Sequence, residues 1–179
     1  MAGRIHITGP SGSGTTTLGQ ALARRWSCLH LDSDDFLWEP TDPPYQTMRA
    51  RDERVSLLQA AIGEAKAWTL SGSLCGWGDG MIPRFDLVVF LTVPTEERLG
   101  RLARRESARF GAAIAPGGVM HDSHIEFLIW AGSYDDGAAT QRSRALHEAW
   151  LARLPCPVLR LDGRTPLNDL VGAVESAIP

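Results

Sequence analysis

The sequence predicts an α/β protein in which a parallel sheet carries helices on both faces. Short apolar runs alternate with segments of helical periodicity along the 179 residues, and this alternation is typical of a doubly wound sheet. Residues 87–91 form a continuous apolar run, as expected for a parallel strand that is buried on both faces. The length favours one domain, to which we assign residues 1–179.

Apolar runs predict the individual strands, and the helical spacing of apolar residues predicts the helices. Five strands are predicted at residues 4–8, 28–32, 68–71, 86–92 and 157–161. Helices are predicted where apolar residues recur every three or four positions, at about 18–26, 48–65, 95–109 and 140–154. A further helix is expected to begin near Ser123, which forms a capping-box pattern with Glu126. Pro166 is typical of the first turn of a last helix.

The composition argues against several classes of protein. Lys and Arg number 18 against 21 Asp and Glu, for a net charge of −3, so neither nucleic acid nor an anionic membrane is expected as a partner. The three cysteines are far apart without a CxxC pair, which predicts reduced thiols. No apolar stretch approaches the ~20 residues of a membrane span, and the N-terminus lacks a signal-peptide core. We therefore expect a cytoplasmic protein.

The clearest functional motif lies between the first strand and the first helix. Residues 9–17 read Gly-Pro-Ser-Gly-Ser-Gly-Thr-Thr-Thr, which fits the phosphate-loop pattern except at its lysine. Backbone N–H groups of such a loop bind phosphates, and the dipole of the following helix assists them. A Gly/Ser-rich turn without a ligand is the alternative. The predicted nucleotide-binding residues of the loop are Gly9, Ser11, Gly12, Ser13, Gly14, Thr15, Thr16 and Thr17.

Thr15 occupies the position of the lysine that normally neutralises the β- and γ-phosphates. The only lysine is Lys66, which precedes the third strand and so belongs at the amino edge of the sheet. The phosphate loop belongs at the carboxyl edge, roughly 13 Å away along a four-residue strand. Lys66 is therefore predicted to be an ordinary surface residue, and the phosphate charge must be met by another cation.

Four arginines of the helix at 95–109 are candidates for that cation. They are spaced three, four and four residues apart, which places them on one helix face. Arginine is always charged and can bind phosphate through two hydrogen bonds. We predict catalytic roles for Arg101 and Arg105; a solvated basic stripe that also includes Arg98 and Arg109 is the alternative.

A cluster of carboxylates ends the second strand, at the sheet edge where ligands bind. Asp32 is the last residue of that strand, and Asp34 lies two positions beyond it. A carboxylate there can take a proton from an acceptor hydroxyl or hold a metal-bound water. We predict catalytic roles for Asp32 and Asp34 and a Mg²⁺ site at Thr16 and Asp32; helix capping or solvation of these acids is the alternative.

The first strand and residues 9–17 resemble the start of the adenylate kinase-like small P-loop kinases, of the nucleoside monophosphate and shikimate kinase type. Within that group, the chain resembles a bacterial subgroup of adenylate kinase-related ATPases with Gly-Thr-Thr-Thr in place of Gly-Lys-Thr. Residues 94–105 are similar to the segment that leads into the lid, where Arg101 and Arg105 match two phosphate-holding arginines. The resemblance implies a three-layer P-loop NTPase fold with a five-stranded parallel sheet and a helical lid at about 110–141.

The resemblance also implies nucleotide contacts beyond the phosphate loop. Residues 141–144 are similar to the arginine-bearing helix that leaves the lid, which implies roles for Arg142 and Arg144. Residues 161–163 resemble the loop that passes near the adenine, which implies a contact from Gly163. The third strand, however, ends in Ser-Gly-Ser at 71–73, where this family usually has Asp-Gly followed by Pro-Arg.

The implied function is transfer of phosphate from ATP, with Mg²⁺, to a small-molecule acceptor. A nucleoside monophosphate, a nucleoside and a hydroxy acid all remain open as the acceptor, and the oligomeric state is not specified. Two alternatives follow from Thr15. One is a nucleotide-binding module without catalysis, and the other is a slow ATPase without an acceptor.

Overall fold

The computed structural model describes residues 2–138 and 142–178, and its centre is one five-stranded sheet. The strands run in the order β2-β3-β1-β4-β5, and every neighbouring pair is parallel. The predicted five-stranded parallel sheet is therefore confirmed. The strands are β1 (Arg4–Thr8), β2 (Leu29–Asp32), β3 (Trp68–Ser71), β4 (Leu87–Thr92) and β5 (Val158–Asp162).

Helices cover both faces of the sheet. They are α1 (Thr15–Trp26), α2 (Ser33–Leu37), α3 (Arg51–Ile62), α4 (Thr95–Phe110), α5 (His121–Gly132), α6 (Arg144–Leu151) and α7 (Leu167–Ala177), with 3₁₀ turns at Asp79–Arg84 and Gly111–Ile114. Helix α5 lies within the lid predicted at 110–141. No helix within the described ranges is long and apolar enough to cross a membrane.

Strand β4 shows why the sheet needs two helical layers. Val88 and Phe90 join an apolar cluster on one face with Trp150 of α6. Val89 belongs to the cluster on the other face, together with Leu18 of α1. Alternate residues of a strand point to opposite faces, so a continuous apolar run is buried only where both faces are covered.

The carboxyl ends of β1, β2 and β3 meet at one edge of the sheet. Asp32, the last residue of β2, is in register with Ser71, the last residue of β3. Lys66 precedes β3 and is exposed at the opposite edge, where it lines a surface depression with Arg4 and Arg84. The prediction that Lys66 is remote from the phosphate loop is confirmed.

Some helix boundaries differ from the predicted ones. The helix expected at Ser123 begins at His121, because the N–H of His121 bonds to the carbonyl of Gly118 at 3.1 Å. The predicted capping box at Ser123 is therefore wrong. Helix α6 begins at Arg144, since the Ser143 side chain caps it by accepting from the N–H of Leu146. The first residues of the helix predicted at 140–154 lie outside the described ranges.

Candidate active site

The phosphate loop joins β1 to α1 in a backbone form that depends on glycine. Gly14 has φ of +97° and forms the N-cap of α1, a left-handed conformation that glycine adopts without strain. As Gly14 has no side chain, the first-turn N–H groups of α1 receive no side-chain cap, and this leaves them to an anion. A Cβ on Gly9 would lie 2.5 Å from the carbonyl oxygen of Leu91, so the loop passes tightly over the end of β4.

Asp32 is held beside the start of α1 by several hydrogen bonds. The hydroxyls of Thr16 and Ser71 donate to Asp32 Oδ2, at 2.7 Å and 3.0 Å. Asp32 Oδ1 accepts from the N–H of Asp34 at 3.1 Å and so caps α2. His30 Nε2 lies 3.1 Å from Ser71 Oγ, which extends the network away from the loop. Hydrogen bonds therefore hold both carboxylate oxygens of Asp32 in place, and Oδ2, which faces α1, accepts one from the Thr16 hydroxyl.

These oxygen atoms suit a magnesium ion. Mg²⁺ prefers oxygen ligands and is usually bound by one or two carboxylates together with substrate phosphates. In P-loop enzymes a loop Ser or Thr hydroxyl and a nearby Asp provide such ligands. The Thr16 hydroxyl and the Asp32 carboxylate have this chemistry and are already adjacent.

Asp34 is in a different environment from Asp32. Burial raises the pKa of its carboxyl, the negative charge of Asp32 raises it further, and Arg142 acts in the opposite direction. The residue nevertheless stays exposed to solvent. A raised pKa brings a carboxylate closer to the range in which it works as a general base at neutral pH.

Arg142 lies directly on the phosphate loop. Its Nη2 donates to the carbonyl oxygen of Gly9 at 3.0 Å, and its guanidinium lies 5.7 Å from the ring centre of Trp130. Burial lowers the pKa of Arg142, while Asp34 opposes that change; a guanidinium remains charged because its ordinary value is so high. Its Nε has no hydrogen-bond partner among the described residues. A positive charge is thus placed beside the loop that lacks its lysine.

The two arginines predicted on α4 have different partners. Arg101 donates to the carbonyl of Gly163 at 3.1 Å and pairs with Glu97 at 2.6 Å. Gly163 packs so closely on the loop that a Cβ there would overlap the carbonyl oxygen of Ser13. The structure therefore brings Arg101 and Gly163 to the loop's neighbourhood.

Two other predicted arginines form ion pairs farther out. Arg105 pairs with its neighbour Glu106 at 2.9 Å, and 57% of its side chain is exposed. Arg144 pairs with Asp135 at 3.1 Å and is 52% exposed. Neither side chain contacts the phosphate loop among the hydrogen bonds and ion pairs of the described residues.

Comparison with known proteins identifies the family. A family model described as an AAA domain matches residues 5–111, which is more than half of the chain. The chain belongs to this AAA domain family. This AAA domain protein is also 43% identical over 174 residues to the uncharacterized protein YqaC of Bacillus subtilis, covering 97% of this chain and 96% of that protein.

Further relatives are named as kinases. This AAA domain protein is 32% identical over 120 residues to the cytidylate kinase of Methanocorpusculum labreanum, covering 58% of this chain and 63% of the kinase. Two solved structures share its fold. Shikimate kinase from Bacteroides thetaiotaomicron has a TM-score of 0.54 and 17% identity, and the match covers 98% of each chain. Gluconokinase from Sinorhizobium meliloti 1021 has a TM-score of 0.55 and 18% identity, and the match covers 99% of this chain and 91% of the gluconokinase. The resemblance to small P-loop kinases of the nucleoside monophosphate and shikimate kinase type is confirmed.

Arg98 is an important residue of this AAA domain protein that periodicity could not single out. It is fully buried, and its guanidinium donates to the carbonyls of Ser11, Val93 and Ala131 at 3.1–3.2 Å. It also pairs with Asp135 at 3.5 Å. Arg98 therefore ties the phosphate loop to the end of β4 and to α5. Its spacing matched that of its neighbours on α4, and only the tertiary packing distinguishes it.

Proposed function

We propose that this AAA domain protein transfers phosphate from ATP, with Mg²⁺, to a small-molecule acceptor. The observation that carries the proposal is the hydrogen bond between the Thr16 hydroxyl and the Asp32 carboxylate at the uncapped start of α1. This pair supplies metal ligands beside backbone N–H groups that suit phosphates. The kinase names of its relatives and fold neighbours support the same chemistry.

In this proposal, residues 9–17 bind the phosphates, and Thr16 and Asp32 hold the metal. When bound, Mg²⁺ neutralises charge that develops on the phosphoryl oxygens. Ser71 keeps the Asp32 carboxylate oriented toward Thr16. Asp32 needs no side-chain rotation to present an oxygen next to the Thr16 hydroxyl.

Arg142 is the best-placed substitute for the missing lysine. Its bond to the Gly9 carbonyl holds the guanidinium against the loop, while donors beyond Nη2 remain for phosphate oxygens. Arginine suits this task because its fork of N–H groups binds phosphate through two bonds. We retain Arg101, which lies on the Gly163 loop, and Arg105 as further phosphate-binding residues, with Arg144 at the end of the lid.

Asp34 is proposed as the base for the acceptor. It takes the proton of the acceptor hydroxyl as that oxygen bonds to the γ-phosphorus, the bond from phosphorus to the bridging oxygen breaks, and ADP leaves with the electron pair. The raised pKa of Asp34 favours this proton transfer. The positive charge of Arg142 lowers the pKa of the same carboxyl, so this guanidinium, which is bonded to the phosphate loop, also acts on the proposed base.

The test is direct detection of a phosphorylated product. Purified full-length protein is incubated with ATP, Mg²⁺ and a panel of nucleoside monophosphates, nucleosides and hydroxy acids, and products are identified by mass spectrometry. Arg142→Ala is expected to lower turnover at least 100-fold, since loss of one charge-stabilising donor costs 10²–10³ in rate. Arg153→Ala is the matched control, because Arg153 is 63% exposed and pairs with Asp79. Equal turnover of the two variants would contradict the role of Arg142.

The alternatives make different predictions in the same experiment. Thr15 in the lysine position favours a protein that binds nucleotide without transferring phosphate. Such a module would be stabilised thermally by ATP and Mg²⁺ but would form neither ADP nor product. A slow ATPase would release phosphate at a rate that no acceptor changes.

A further inference from the structure

Four polar side chains of β2 and β3 lie on the face of the sheet that packs against α1. His30 and Asp32 are two positions apart in β2 and therefore share a face, and the parallel register places them beside Thr69 and Ser71 of β3. Thr69 and Ser71 are fully buried, and His30 is half-buried. Asp32 is the proposed metal ligand of this group, whereas His30 has no role in the phosphate transfer described above.

Helix α1 leaves room for the imidazole of His30. A Cβ on Gly19 would lie 3.0 Å from the ring atoms Cδ2 and Nε2, so the ring packs against the helix only because residue 19 has no side chain. The Thr69 hydroxyl donates to the Gly19 carbonyl at 2.9 Å in the interior and holds this part of α1 against β3. The backbone of the helix that follows the phosphate loop thus confines the imidazole on one side.

The Asp32 carboxylate sets the direction of the hydrogen bonds at Ser71. Ser71 Oγ lies 3.0 Å from Asp32 Oδ2 and 3.1 Å from His30 Nε2. An ionised carboxylate can only accept, and a serine hydroxyl has one hydrogen, so that hydrogen goes to Asp32. The carbonyl of Leu31 is a more distant acceptor, at 3.4 Å. His30 Nε2 therefore carries a hydrogen and donates it to Ser71 Oγ, and it can do so in the neutral and in the charged ring.

The imidazole keeps the serine hydroxyl turned toward the carboxylate. Without a donor at the position of His30 Nε2, the Ser71 hydroxyl is free to rotate toward the Leu31 carbonyl. Asp32 Oδ2 would then keep only the hydrogen bond from Thr16 among the described residues. Hydrogen bonds of this kind orient a carboxylate for the metal, and loss of such a partner commonly lowers metal affinity about 10- to 100-fold.

We propose that His30 is a positioning residue of the Mg²⁺ site: its Nε2–H orients the Ser71 hydroxyl, which in turn holds Asp32 Oδ2 beside Thr16. The inference rests on the proposed function, since Asp32 is a metal ligand only there. His30 itself does not touch the metal or the nucleotide. Its replacement therefore affects the binding of nucleotide with Mg²⁺ and leaves the binding of nucleotide without metal unchanged.

The first test locates the hydrogen on His30 and needs no activity. Full-length protein with ¹⁵N-labelled histidine is studied by NMR at pH 8, with His30→Gln used to assign the signals. The expected neutral ring carries its hydrogen on Nε2 and none on Nδ1. A neutral ring with its hydrogen on Nδ1 would make Ser71 the donor to the imidazole, so that its hydroxyl could not serve Asp32, and would overturn the proposal.

The second test measures the Kd of ADP by calorimetry, once with Mg²⁺ and once with EDTA. The ratio of the two constants reports the coupling between metal and nucleotide. His30→Leu is expected to lower this ratio about tenfold and to leave the Kd in EDTA unchanged, which also shows that the variant is folded. His30→Gln keeps an N–H donor near the position of Nε2 and is expected to retain the ratio. An equal loss in the two variants would make the imidazole a space-filling group and would overturn the proposal.

A double variant shows whether the histidine acts through the serine. Ser71→Ala is expected to lower the same ratio, and His30→Leu with Ser71→Ala to lower it no further, because the imidazole acts only through that hydroxyl. Multiplying effects, or an unchanged ratio in His30→Leu, would overturn the positioning role even if the protein transfers phosphate.

The outcomes for the wild type separate this inference from the proposed function. A ratio that depends on His30 in a protein that transfers no phosphate would support the positioning role and overturn only the transfer. A wild-type chain whose ADP binding ignores Mg²⁺ would overturn both the positioning role and the metal site.

Discussion

Two buried histidines predict a strong loss of stability in mild acid. His6 and His147 are both fully buried, and burial is the main cause that lowers their pKa values, to about 4 and about 3. Their ordinary value is about 6.5 in an unfolded chain. Because the folded pKa lies below the unfolded one, the unfolded state binds protons first as the pH falls. The stability is thus complete above pH 6.5 and is lost from there down toward pH 4.

The size of the loss follows from the same values. Between pH 7 and pH 5 each unfolded histidine takes up most of a proton, whereas the folded form stays neutral. This difference lowers the free energy of unfolding by about 2 kcal/mol per histidine and about 4 kcal/mol for the pair. Domains of this size are commonly stable by about 5–15 kcal/mol, so the change is a large part of the total. Asp34 and Asp35 have raised pKa values, which make the folded state more stable as the pH falls. Both residues are present in the wild type and in the histidine double variant, so their effect is the same in the two proteins.

Urea unfolding followed by tryptophan fluorescence at pH 7, 6 and 5 measures this effect. The wild type is expected to lose several kcal/mol of unfolding free energy at a constant m-value, and His6→Asn with His147→Gln to lose far less over the same range. A wild-type loss below about 1 kcal/mol would refute the reasoning. So would a double variant with an undiminished loss, since the pH dependence would then come from other groups.

Three further predictions concern the phosphate loop and its supports. Thr16→Val removes the hydroxyl that meets Asp32 and is expected to abolish the Mg²⁺-dependent part of the thermal stabilisation by ATP, while an unchanged Mg²⁺ effect would place the metal elsewhere. Arg98→Met leaves the carbonyls of Ser11 and Ala131 without this donor and removes one of the two arginines that pair with Asp135, which should cost about 3–5 kcal/mol in urea unfolding; a cost below about 1 kcal/mol would contradict that role. Gly163→Ala places a methyl group against the Ser13 carbonyl and should weaken ATP binding about tenfold, equivalent to about 1.4 kcal/mol, whereas Gly172→Ala meets no atom within 4 Å and serves as the control.

The fold was largely predictable because its signals are local. Apolar runs and the strand–loop–helix pattern located all five strands to within one residue of the observed ends. Helix α2 was not predicted, since five residues are too few to show an apolar stripe and its beginning depends on the Asp32 side chain. The capping-box pattern at Ser123 failed because backbone contacts around Gly118 start α5 two residues earlier.

The site was predictable in part. Residues 9–17, Asp32 and Asp34 follow strands whose order along the chain places them at one sheet edge, so their convergence could be expected. The partners of the arginines could not be predicted from the sequence, because helical spacing places Arg98 and Arg105 on the same face of α4. In the structure one is buried against the phosphate loop, and the other pairs with Glu106 near the surface. Likewise, nothing local joins Ser71 to His30, which are 41 positions apart in the chain.

The position of Arg142 changes what the missing lysine means. A lysine at position 15 would belong to the phosphate loop itself and would accompany it in every state of the protein. Arg142 instead follows the predicted lid and reaches the loop through the Gly9 carbonyl and the ring of Trp130 on α5. If Arg142 supplies the charge, neutralisation of the phosphates depends on the placement of α5, which Arg98 also ties to the loop through its bonds to Ala131 and Ser11. Replacing the lysine by threonine would then move the charge from the loop to the segment that follows α5, and the proposed phosphate transfer would depend on the placement of that segment.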